Sequence, residues 1–195
     1  MNLRLVTAPA SEPVTLTVVK AFLRVDGSAE DTLITSLAKA AREHGEDLSR
    51  RAFITQTWDM TINAWPIFAT HVRDGVTSLN RASCRLQIYR PPLQSITSVK
   101  YLDLSNIEHT WTDYVVDTRN EPGEIIFKTL PGDALLESGA ITVRFVAGYG
   151  ADTAVPERIK NLILALTAYW YENRETHEVP TDIKKAFMGE RAVWL

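Results

Sequence analysis

The spacing of apolar side chains changes twice along this chain. Between Glu30 and Leu48, Leu33, Ile34, Leu37, Ala38, Ala41 and Leu48 recur at helical spacing, with Lys39, Arg42, Glu43 and Glu46 on the opposite side. That period predicts an amphipathic helix with a solvated charged face. From Phe53 the period falls to two. Ile54, Trp58, Met60 and Ile62 share one face, while Thr55, Thr57, Asp59 and Thr61 share the other, as in a half-buried strand. Near Pro156 the longer period returns through Ile159, Leu162, Ile163, Leu166, Tyr169 and Trp170 and runs to about Arg174. Neither helix can hide its apolar stripe alone, so the simplest partner for each is the other.

Local signals fill in the remainder. Residues 1–14 read as extended, since Pro9 and Pro13 oppose helix. Thr15 can cap a short helix with Leu16, Val19, Phe22 and Leu23 on one side, stopped by Asp26-Gly27. Ser28 is the expected start of the next helix, with Asp31 three residues later in a capping-box position. Residues 66–83 read as an irregular excursion. Further strands are expected at Arg85 to Tyr89, Ile96 to Leu102, Tyr114 to Asp117, Gly123 to Phe127 and Ile141 to Ala147, separated by turn residues such as Pro131-Gly132. Their spacing predicts an antiparallel meander or small sandwich. Pro156 suits the first turn of the late helix, and a short last helix is expected from Thr181 to about Met188.

The expected fold is therefore α+β. It is a small helical bundle (a short helix, two long amphipathic helices and a short C-terminal helix) with an antiparallel β-rich insertion between the two long helices. Residues 1–52 and 151–195 would form the helical part and 53–150 the β-rich lobe. Leu33, Leu37, Ala41, Leu162, Leu166 and Trp170 are the expected helical core.

Composition narrows the function. The chain has 195 residues, 45% hydrophobic and 23% charged, with a net charge of −3. These are ordinary globular values, and the balance opposes a dedicated nucleic-acid binder, which would carry a basic face. The first ten residues lack the apolar run of a signal peptide, and no stretch reaches the length of a membrane span. Cys84 is the sole cysteine, which excludes an intrachain disulfide. His44, His71, His109 and His177 include no pair at zinc-binding spacing. Asp26-Gly27-Ser28 lacks the alternating acidic ligands of a calcium loop, and Gly148-Tyr149-Gly150 lacks the pattern of a phosphate loop. No catalytic residue, metal or cofactor is assigned. A hydrolase built on Cys84 would need an oriented histidine, yet Cys84 opens a predicted strand.

The surfaces say more. Tyr169, Tyr171 and Arg174 place amphipathic rings and a guanidinium at the end of a helix, residue types enriched at interface hot spots. Near the chain end, Phe187, Met188, Val193, Trp194 and Leu195 are apolar groups better docked on a partner than left in water. Trp58, Trp65 and Trp111 in the strand-rich part support an alternative, a module binding a carbohydrate or peptide.

Several segments together resemble a known family. They are Val14-Thr-Leu-Thr-Val-Val-Lys-Ala-Phe-Leu-Arg-Val25, Asp31-Thr-Leu-Ile-Thr-Ser-Leu37, Ala40-Ala-Arg-Glu43 and Ile54-Thr-Gln-Thr-Trp58. The middle adds Arg90-Pro-Pro-Leu-Gln-Ser-Ile-Thr-Ser-Val99, Asp113-Tyr-Val-Val-Asp117 and Val143-Arg-Phe-Val-Ala-Gly-Tyr149. Val155-Pro-Glu-Arg-Ile-Lys160 and Trp170-Tyr-Glu-Asn-Arg174 close the series. In order and spacing these resemble phage head–tail connector proteins, also called adaptors or head-completion proteins, over about residues 3 to 175. Val18 departs from the pattern, standing where a Glu would complete the cap box at Thr15.

The resemblance implies a virion structural protein at the head–tail junction of a phage or phage-like gene transfer particle, made in the cytoplasm of a bacterial host. It implies a ring of identical subunits, twelve on the portal, that surrounds the DNA channel. Its partners would be the portal protein, a tail-side stopper or tail terminator protein, and copies of itself. DNA would pass without specific binding, and no membrane is involved. In that setting Phe187, Met188, Arg191, Val193, Trp194 and Leu195 would contact the portal. Tyr169, Tyr171, Arg174 and Trp111 would contact a neighbouring subunit or the tail.

Overall fold

A computed structural model describes residues 1–66, 84–134, 139–174 and 178–192. His71, His177 and all but the first residue of the expected 66–83 excursion lie outside them. The protein is α+β, with four α-helices and antiparallel sheets among the described residues. It divides into two compact units, Met1–Ala8 with Gln56–Ala147 and Pro9–Thr55 with Gly148–Leu195.

The first unit is strand-rich. A five-stranded sheet holds β1 (Asn2–Thr7), β2 (Gln56–Ile62), β4 (Leu93–Leu102), β5 (Glu108–Trp111) and β8 (Ile141–Ala147), in the order β1-β2-β8-β4-β5. A second sheet holds β3 (Arg85–Gln87), β6 (Tyr114–Asp117) and β7 (Glu124–Phe127), in the order β3-β7-β6. This corrects the expected meander, because the last strand lies between β2 and β4. It also corrects the placement of residues 1–8 with the helices, since β1 pairs with β2 from Asn2↔Thr61 to Thr7↔Thr57. The strand β5 carried no recognised alternation and was not expected.

Period-two patterning sets which face is dry. On β8, Ile141, Val143, Phe145 and Ala147 are fully buried, and the residues between them are only half-buried. In register beside Val143 stand Met60 and Val99, both wholly buried. The other face is a polar ladder, in which Asn2, Thr61, Thr142, Lys100 and Thr110 follow one another across five strands. A one-residue slip would exchange these faces, so burial of one face pins the register.

The second unit contains α1 (Leu16–Leu23), α2 (Asp31–Ser49), α3 (Glu157–Glu172) and α4 (Thr181–Gly189). Thr15 caps α1 as its sequence predicts, its Oγ1 accepting the Val18 N–H at 3.4 Å. The start of α2 differs from expectation. Its N-cap is Glu30, without a side-chain cap bond, and Asp31 instead accepts Lys20 Nζ at 2.6 Å. Ile34, Ala41, Phe53, Ile159, Ile163, Leu166 and Phe187 form the fully buried centre, with Trp170 also buried. Leu37 and Leu162 pack against it half-buried. Leu33 is a correction, since it is 37% exposed and its neighbour Ile34 takes the core position.

Two charged residues expected in water are buried. Arg42 and Glu46 are paired across one turn of α2, and Arg42 also donates to Glu12 at 2.7 Å and to Glu43 at 3.3 Å. Burial of charge is tolerable only with such partners. Gly45 lies beside them, where an added Cβ would stand 2.7 Å from the Phe187 ring. Phe187 and Phe53 stack with centroids 6.4 Å apart. At the other crossing of this unit, Tyr149 N–H donates to Phe53 O and Thr55 N–H to Gly150 O. Gly148 between them has φ +125°, and a Cβ there would fall 2.4 Å from Ile54 O. Both the left-handed backbone and the close approach require glycine.

Candidate assembly surfaces

Among the described residues, no His, Cys, Asp and Glu side chains gather in a group able to hold a metal. Apart from Phe187, the described candidate residues lie on surfaces and at the end of a helix. The C-terminal candidates separate. Phe187 belongs to the core, which corrects its expected role as a partner contact: its ring fills the space left by Gly45. Met188 is 44% exposed and Arg191 half-buried. Val193, Trp194 and Leu195 lie outside the described residues. The end of α4 is tied down by Glu190, whose carboxylate pairs with Arg158 at 2.8 Å and whose carbonyl accepts Arg51 Nε at 2.6 Å. Met188 is thus presented from an anchored helix.

Tyr171 and Arg174 form a cluster at the end of α3. Both bond the Glu30 carboxylate, Tyr171 through its hydroxyl and Arg174 through Nη2 at 2.6 Å, and the guanidinium lies 5.3 Å from the Tyr171 ring centroid. The Tyr171 hydrogen bond, followed by that of Arg174, holds the Glu30 carboxyl below its usual range. Glu30 in turn raises the Tyr171 hydroxyl. These bonds hold both side chains in place. Tyr169 is half-buried against the helical core.

Trp111 lies in the strand-rich unit, in an aromatic cluster with Trp65 at 6.4 Å and Tyr101 at 6.1 Å between centroids. Trp65 is buried there, edge-on to Phe127 at 5.0 Å. It is core, which weakens the alternative of a tryptophan-lined ligand platform. Trp58 is half-buried beneath the Arg90 guanidinium, 5.1 Å from its ring centroid.

Three features escaped the sequence reading. The first lies on the polar ladder: the buried Asp59 carboxylate accepts Arg144 Nε at 2.8 Å and Nη2 at 3.0 Å, and Arg4 Nη2 at 2.8 Å. Arg144, then Arg4, hold its carboxyl below the usual range. Their alignment required knowing that β1, β2 and β8 are neighbours. The second is an apolar strip on α1. Phe22, expected on the buried side, is 51% exposed and Val18 48%. The third is the loop between β4 and β5, where Leu104 and Ile107 are 71% and 57% exposed.

No family model matches this chain, and no curated protein does. Solved structures do share its fold. A chain in the neck of an empty gene transfer agent (GTA) particle, computed with C6 symmetry, superposes with a TM-score of 0.77 at 19% identity, covering 100% of this chain and 97% of that one. A chain in the virion of a native GTA particle gives 0.75 at 20% identity, with the same coverage. A chain in the neck of a native GTA particle, computed with C12 symmetry, gives 0.67 at 19% identity, again at that coverage. The likeness is one of fold, along the whole chain.

Proposed function

We propose that this chain is a structural head–tail adaptor of a tailed phage or phage-like gene transfer particle. It forms a ring beneath the portal, surrounds the DNA exit channel and joins the filled head to the tail. The observation that carries this reading is the full-length likeness of fold to chains of GTA necks. The ordered family-like segments of the sequence point the same way.

The role is mechanical rather than catalytic. An α+β chain with a helical unit and a strand-rich unit has separate surfaces to offer different neighbours. A closed ring requires heterologous contacts, in which one patch meets a different patch of the next subunit. Each contact can be modest, because a subunit is held by two neighbours and the portal at once. The net charge of −3 suits a channel that DNA must traverse, since every added phosphate contact would slow its passage. Met188, Arg191 and residues 193–195 are the portal-side candidates. Tyr169, Tyr171, Arg174 and Trp111 are candidates for contact with the next subunit or with the tail-side stopper or terminator.

Cryo-electron microscopy of the parent particle with and without this protein tests the reading. The expected result is a ring of density below the portal that disappears in the deletion, leaving filled heads without tails. Normal tailed particles in the deletion would sink it.

A further inference from the structure

Among the described residues an apolar-lined hollow and a strongly exposed apolar loop offer the two unlike surfaces that a cyclic assembly needs. The hollow is a cavity of ≈290 Å³ in the helical unit, lined by Val14, Leu16, Val19, Ile34 and Ala38 among others. Of these five, Val14, Val19, Ile34 and Ala38 are buried side chains of the helical core, so the hollow reaches down to aliphatic surface. Thr15 and Thr35 also line it. On α1, Val18 and Phe22 follow Thr15 at i+3 and i+7, so the exposed strip adjoins the hollow's rim.

The projection is the Asp103–Ile107 loop between β4 and β5. It is held stiffly from within. Asp103 Oδ1 accepts the N–H groups of Ser105 at 2.8 Å and Ile107 at 2.9 Å, and its Oδ2 meets His109 Nε2 at 2.8 Å. Asp103 N–H donates to Ile107 O at 3.0 Å, and Leu104 N–H to Asp133 O at 3.1 Å. Asn106 takes the left-handed conformation that closes the turn. The result is a preformed tip showing two aliphatic side chains to water. Its one carboxylate is already engaged by these bonds, so the tip brings no unpaired anion to a rim that carries Glu12 and Asp152.

We propose that the Leu104–Ile107 tip of one copy seats in the α1–α2 hollow of the next copy around the ring. The occupant is a second copy because tip and hollow are unlike apolar surfaces on one chain, the kind of pair that repeats head-to-tail, as a ring of identical subunits requires. Two self-complementary patches would instead give a dimer. This inference rests on the ring reading above and names its interface.

Single-cysteine variants test it. In a Cys84→Ser background, Leu104→Cys protein is mixed with Thr35→Cys protein and oxidised, and Thr110→Cys on the polar ladder replaces Leu104→Cys as the control. All three positions are exposed, so the folds should be unchanged, as circular dichroism would verify. The expected result is a covalent dimer for the Leu104–Thr35 mixture, well above the control. The doubly substituted chain should give a ladder of oligomers that ends at the ring. Leu104→Glu and Ile107→Glu should abolish rings in negative-stain images while leaving the subunit folded. Rings that persist in the Glu variants, without selective cross-linking, would overturn the tip-in-hollow contact and leave the adaptor reading standing. Wild-type protein that forms no rings, alone or on portals, together with no selective cross-link in the Leu104→Cys and Thr35→Cys mixture, would overturn both.

Discussion

Arg42 Nη1 lies 2.7 Å from Glu46 Oε2, one turn along α2, and the two side chains are 4% and 7% exposed. The second Glu46 oxygen accepts the Phe53 N–H at 2.7 Å. One carboxylate thus neutralises a buried guanidinium and fixes the backbone where the chain leaves α2. Removing it takes the acceptor from the Phe53 N–H and leaves the buried Arg42 with Glu12 and Glu43 alone. Glu46→Ala should cost about 3–5 kcal/mol, the usual penalty for breaking one side of a buried pair. Glu46→Gln, which can still accept from Phe53, should cost less. Urea denaturation would measure both, and a loss below about 1 kcal/mol for Glu46→Ala, the range of an exposed pair, would mean the network is solvated after all.

Acid should weaken the strand-rich unit. Arg119, through its side chain first and then its backbone N–H, lowers the Asp117 carboxyl from 3.8 to about 2. Asp59 is lowered too, chiefly by Arg144. A carboxyl whose folded pKa is depressed binds protons more readily in the unfolded chain. Its stabilisation is therefore complete above about pH 4 and is lost as pH falls through the folded value, near pH 2 for Asp117. Carbon-detected NMR titration should place Asp117 near 2 and, in Arg119→Ala, closer to 3.8. The return should be partial, because the residue-119 N–H still donates. An Asp117 pKa unchanged by the substitution would contradict the assignment.

Gly148→Ala should be among the most damaging single changes. Its backbone conformation strains any L side chain by about 1–3 kcal/mol, and the new Cβ would collide with backbone at Ile54, which cannot rotate away. Gly45→Ala should be milder, since its clash is with the Phe187 ring and alanine favours the helix by roughly 0.5–1 kcal/mol. Thermal melts of the two variants would rank them. The reverse order would show that the 148–150 segment relaxes easily.

Neighbours on α2 should respond oppositely. Leu33→Ser should stay within about 0.5 kcal/mol of wild type, as exposed positions do. Ile34→Ala should cost about 2–5 kcal/mol by leaving a cavity. The same reasoning makes Phe187→Ala cost about 3–5 kcal/mol through the core, whereas Met188→Glu should leave stability intact. If Met188 contacts the portal, that variant would fold normally yet fail to join heads to tails in a complementation assay.

The sequence by itself determined the local elements. Thr15 as a cap, the alternation of β2 and β8, and the periodic run of α3 are written in residues a few positions apart, because helix and strand geometry act over that range. It also carried the ordered segments that resemble connector proteins. Tertiary structure decided which elements meet. β8 inserts between β2 and β4, and Asp59 meets Arg144 across 85 residues. The extended N-terminus becomes a strand only because β2 offers it an edge. Periodicity marked a stripe on α2 but left Leu33 and Ile34 equivalent, since both fall within it; the helices that arrive choose Ile34. Arg42 reads as a surface charge until Glu12, thirty residues away, folds over it. Phe187 looked like a free end for want of Gly45. Burial depends on partners distant in sequence, and a pattern of neighbours records only the side that needs covering.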